Sequence, residues 1–366
     1  DAVNNVPAVK FLVKQNNSGA TYNAIQTGGV FSINATGGGD IDFTATSANT
    51  GTYAFDSTKN FQLLASTGQI RANFGVNGLD LTGATASGFI FGAISGGTSS
   101  SNIVLTGDRF NEATANATAS AMVLRTSGSA TIKPSSQSFS SAQTFDSTWG
   151  FFGVSSGNIG AVTIGQSGTN STVSGATQNA SDVTISGGIS ATGAISIYGK
   201  TITVGASLTT TGSSPILIKG TQDVVMSNGT NTSTRNALTT ANPAITLWSN
   251  ADASGTGAIQ LGDFTKLNST GGAITLAGGA TATESSPSGA AVGNSSYTRG
   301  IVLGINQAVG NVDILSGNGN IVIYGYSAAN QNWANGVTIT NAYPILFAGG
   351  GGFYIAVGAG VLIKNG

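Results

Sequence analysis

The chain has 366 residues, only 7% of them charged, with a formal net charge of −1. An ordinary soluble domain carries about 25% charge, and this balance leaves no basic patch for nucleic acid and no electrostatic hold on an anionic membrane. With no histidine and no cysteine, the usual general base, the Ser-His-Asp triad, thiolate nucleophiles and most transition-metal sites are excluded.

Taken from its start, the chain opens on Asp1 without a charged-then-apolar leader, as expected of a mature or internal piece. Nothing in it approaches a run of about 18 apolar residues, so no membrane insertion is expected. Residues 1–150 show short period-two apolar stretches around Ile33, Ile41, Leu63, Ile103 and Leu124, in a loose register. Such alternation predicts strands with one buried face. Between Phe11 and Phe152 lie 13 of the 16 phenylalanines, which predicts aromatic stacking between successive layers of strands.

Acids are few, so their groupings stand out. In Gly39-Asp40-Ile41-Asp42 the two carboxylates lie two residues apart and would share one strand face. Asp40 and Asp42 are therefore the calcium candidates, although a full site takes about six to eight oxygens. Two solvated acids on an outer face is the ordinary reading. Asp108, Arg109 and Glu112 form the second group, expected as a local ion pair at a strand end. Asp146, Asp223, Asp252, Asp263 and Asp313 are scattered, and nothing in their spacing requires them to meet.

Residues 151–366 are more regular. The pattern glycine, apolar–polar–apolar, glycine returns at Gly193–Gly199, Gly257–Gly262, Gly272–Gly278 and Gly319–Gly325. Apolar pairs beginning at Val183, Ile202, Val224 and Ile245 follow one another at intervals of about 20 residues, and a second set begins at Ile195, Ile216, Ile259 and Ile274. Asn-Gly pairs such as Asn77-Gly78 and Asn228-Gly229 suit corners. Thr201, Thr203, Thr209, Thr211, Thr338 and Thr340 fall at outward positions of the alternation, without one common period. Ser135 to Gly160 and Ala280 to Arg299 break the rhythm and read as loops leaving the coil.

These features predict an all-β chain, a single right-handed parallel β-helix with roughly 20 residues per coil. The run from Gly193 to Gly212, followed by Pro215 to Gly220, resembles the filamentous-haemagglutinin-type exoproteins of bacteria. That resemblance implies a secreted surface stalk or adhesin and carries over no functional residue. The expected function is therefore structural or adhesive, at the cell surface or outside it, through an extended neutral face that meets a glycan or a host or neighbouring-cell surface. No catalytic residue, cofactor or metal is expected beyond the weak Asp40 and Asp42 pair. Two alternatives stand beside it: a subunit that assembles with copies of itself end to end into a filament or sheath, and a polysaccharide lyase or hydrolase.

Overall fold

The computed structural model describes residues 9–16, 23–27, 30–35, 38–49, 52–57, 60–80, 89–94, 96–111, 122–153, 157–167, 172–173, 176–252, 255–279, 286–304, 310–327, 337–339, 346–349, 353–357 and 361–363. Strands are the only regular elements among them; no helix is present among the described residues. The chain divides into two compact units, Asp1–Gln166 with Ser190–Thr192, and Ser167–Ile189 with Gly193–Gly366.

Each unit is built from coils that lay three strands into three parallel sheets. In the first unit one coil runs Val9–Gln15, Ile25–Thr27 and Phe31–Ala35, and the next Ile41–Ser47, Phe55–Ser57 and Phe61–Ala65. Gln69–Asn73, Leu79–Asp80 and Phe89–Gly92 follow, then Asn102–Thr106, Phe110–Asn111 and Met122–Arg125. Every strand pairs in parallel with its counterpart one coil on. The second unit repeats the scheme, with Ile202–Val204, Leu208–Thr210 and Ile216–Gly220 pairing to Val224–Met226, Asn236–Thr240 and Ile245–Ser249.

The pleat explains the sequence pattern. Alternate side chains point inward and stack on their register partners. One column runs Ile195, Ile216, Ile245, Ile274 and Ile321, and another Val183, Ile202, Val224, Ile259, Ile301 and Val337. All of these are buried. In the first unit the interior is aromatic: the rings of Phe11 and Phe43 stack at 5.2 Å, and Phe43 meets Phe61 at 5.0 Å. The stacking predicted from the phenylalanine-rich segment is present.

The coil differs from the sequence expectation in length. Hydrogen bonds between neighbouring coils join residues 32 positions apart (Ser47 to Gln15), 29 (Gln69 to Asp40) and 27 (Ser129 to Asn102). In the second unit the step is 19 from Thr201 to Asp182, 30 from Thr270 to Thr240 and 47 from Ser269 to Ser316. A step near 20 thus describes the coils through Val183, Ile202 and Val224, and longer steps prevail elsewhere. The two apolar sets also exchange members: Ile245 pairs with Ile216, and Ile259 with Val224. Corners absorb the extra residues. One is Thr230 to Arg235, where the Asn231 side chain accepts from the Ser233 and Thr234 amides.

The two rhythm-breaking segments return to the coil. Ser135 to Ser141 bends and then feeds Gln143–Phe145 and Trp149–Phe152. Of the later one, residues 280–285 lie outside the described residues; Ala291–Val292 adds a short parallel strand beside Gly325 and Tyr326.

Candidate functional site

The outer face of the first unit's leading sheet gathers the most chemistry. Strands Val9–Gln15, Ile41–Ser47, Gln69–Asn73, Asn102–Thr106 and Ser129–Lys133 lie side by side in that order. Because the register is parallel and unbroken, outward residues form two rows across the strands. One row is Lys10, Asp42, Arg71, Val104 and Thr131; the other is Leu12, Thr44, Asn73, Thr106 and Lys133. A shallow groove of about 330 Å³ runs over them. Together with Lys14, this face holds four of the chain's 13 basic residues.

Asp40 and Asp42 do come together here, on a guanidinium. Arg71 Nη2 donates to Asp40 Oδ2 at 2.8 Å, Nε donates to Asp42 Oδ1, and Nη1 donates to Gln69 Oε1. Asp40 Oδ1 accepts from the Gln69 amide at 2.8 Å. The hydrogen bond to Asp42 foremost, with Asp40 behind it, holds the Arg71 guanidinium above its ordinary pKa. A cation of the chain's own therefore sits where calcium was considered. No group of three acidic, histidine or cysteine side chains able to hold a metal is found among the described residues.

Asp108 and Arg109 do not pair with each other. Asp108 Oδ1 accepts from the amides of Ser135 and Ser136 at 2.7 and 2.8 Å, fixing the bend that follows. Arg109 crosses coils: Nε donates to the Asn77 carbonyl at 2.7 Å, Nη2 to the Thr52 carbonyl at 2.9 Å, and its guanidinium lies 4.0 Å from the Tyr53 ring centre. Glu112 lies outside the described residues.

The scattered acids take local work. Asp146 Oδ1 accepts from the Thr148 amide and hydroxyl, and Asp313 pairs with Arg235 and Asn311. Asp223 is buried; its Oδ1 accepts from the Ala258 amide at 2.7 Å and the Asn294 side chain at 2.8 Å, and burial raises its pKa. Lys219 is also buried, its amino group 3.9 Å from the centre of the Trp248 ring, and burial lowers its pKa.

Among the described strands, Thr203 and Thr209 each pair with a threonine across two coils. Thr184 lies beside Thr203, and Thr209 beside Thr239, before other residues follow. Thr338 is buried, and Thr340 lies outside the described residues.

Lys10, Arg71, Asn73 and Lys133 were not singled out in the sequence. They lie on three strands, Val9–Gln15, Gln69–Asn73 and Ser129–Lys133, and only the coil length brings them to one face. Their scarcity was the available signal, since a charge at an outward strand position is rare in this chain.

Parallel coils with three strands each define the chain as a β-solenoid repeat protein. Compared with family models, with curated proteins and with solved structures, the chain has no match.

Proposed function

We propose that the protein is an exported structural or adhesive β-helix of the bacterial surface, coiled right-handedly and binding glycans through the polar outer faces of its parallel sheets. The handedness rests on the general rule for parallel crossovers. The observation that carries the reading is the division of labour along most of the described strands: aliphatic and aromatic residues fill the inside, and threonine, serine, asparagine and a few charges predominate outside. Such a face offers many hydrogen-bonding groups at the strand spacing and, among the described residues, no assembled acid–base pair, which suits repeated weak contact. Its resemblance to haemagglutinin-type exoproteins adds to the reading, and secretion to the cell surface follows from it. A glycan array probed with the labelled protein tests it. Binding to a class of glycan is the expected result; an array with no binding at all defeats it.

A further inference from the structure

Resting on the adhesive reading, we propose that the groove of the first unit binds an anionic glycan chain, one that carries carboxylate or sulfate groups, with Lys10 and Lys133 as its two charge contacts. Both line the groove, together with Asp42, Arg71, Thr44, Asn73 and Thr106. Arg71 is engaged by Asp40 and Asp42. The side-chain amino groups of Lys10 and Lys133 have neither a hydrogen bond nor an ion pair within 4.0 Å among the described residues. They stand on the first and fifth strands of the sheet, so about 19 Å separates them at the usual strand spacing. Between them lie neutral donors and acceptors: the hydroxyls of Thr44 and Thr106, and the amide of Asn73, whose oxygen accepts from Gly75 while its NH2 group remains a donor.

Two lysine charges joined by a strip of hydroxyl and amide groups, with the Asp42–Arg71 pair among them, match a ligand with widely spaced negative charges and many hydroxyls. Nucleic acid fits poorly, because its phosphates are dense and the groove offers two lysines about 19 Å apart with the Asp42 carboxylate among its lining. An extended peptide would pair with a free sheet edge, and this groove lies on the sheet's face.

The test uses the full chain and its Lys10→Gln/Lys133→Gln double variant, titrated with polygalacturonate, dextran sulfate, neutral dextran and duplex DNA. Both substituted side chains point outward, so the variant is expected to melt like the parent. An anionic polysaccharide should bind best and lose about tenfold in affinity in the double variant, as two weak charge contacts would give. Whether polygalacturonate or dextran sulfate binds tells carboxylate from sulfate. Equal binding of neutral dextran, preference for DNA, or anionic binding untouched by the double variant overturns the inference while leaving an adhesive protein. Binding to no polymer, joined by an empty glycan array, removes both.

Discussion

Asp223 places its carboxyl where a negative charge is disfavoured. Burial raises its pKa, and its hydrogen bonds from Ala258 and Asn294 offset that only in part. A carboxyl whose folded pKa lies above its unfolded value binds more protons folded than unfolded. Its contribution is therefore greatest at acid pH and declines as pH rises from the unfolded value through the folded one. Asp223→Asn retains an oxygen for both donors and removes the charge. This variant should melt at or above the parent temperature at neutral pH, with a smaller gap in acid; circular dichroism melts at both pH values decide, and a lower neutral melt would show that the charge is needed. Gly78 sits at the Asn77-Gly78 corner with φ +69°, and a Cβ there would lie 1.9 Å from the Arg109 carbonyl oxygen. Gly78→Ala should cost about 2 kcal/mol or more in a denaturant titration. A corner here was readable from the Asn-Gly pair; the close passage of Arg109 was not, since it comes from the following coil.

At the scale of the strand, burial and stacking dominate. Phe43 is fully buried and has Phe11, Phe31, Phe55, Phe61 and Phe74 around it. Phe43→Ala should lower stability by about 4 kcal/mol, measured by chemical unfolding. The strand ends of the second unit share a device that alternation alone hides. Thr210, Thr240, Ser269 and Ser316 are buried, and each hydroxyl donates to a carbonyl three or four residues on, those of Ser214, Pro243, Gly272 and Gly319. In the sequence these read as ordinary polar positions of a threonine-rich chain; their use depends on the corner folding back over them. Replacing Thr240 by valine keeps the shape and leaves the Pro243 carbonyl without its donor, at a cost of about 1 kcal/mol. An unchanged unfolding midpoint would mean that water replaces the hydroxyl.

For the molecule entire, stability depends little on charge. Ion pairs in which both partners are described join Arg71 to Asp40 and Asp42, and Arg235 to Asp313. Salt screens charges and leaves apolar stacking in place, so melting temperatures in low and high sodium chloride should nearly coincide, and a large shift would point to an electrostatic role missed by the geometry. Class of fold, strand content, parallel stacking and the aromatic interior were all legible in the amino-acid order, because alternation and the glycine corners are local properties that survive in one dimension. Coil length, sheet membership and the groove were not. A period-two strand looks the same whichever sheet it joins, so Ile245 and Ile259 could be told apart only by the corners that bring each to its partner. Likewise Lys10, Asp42, Arg71 and Lys133 stand far apart along the chain, and only the register of stacked coils sets them on one face.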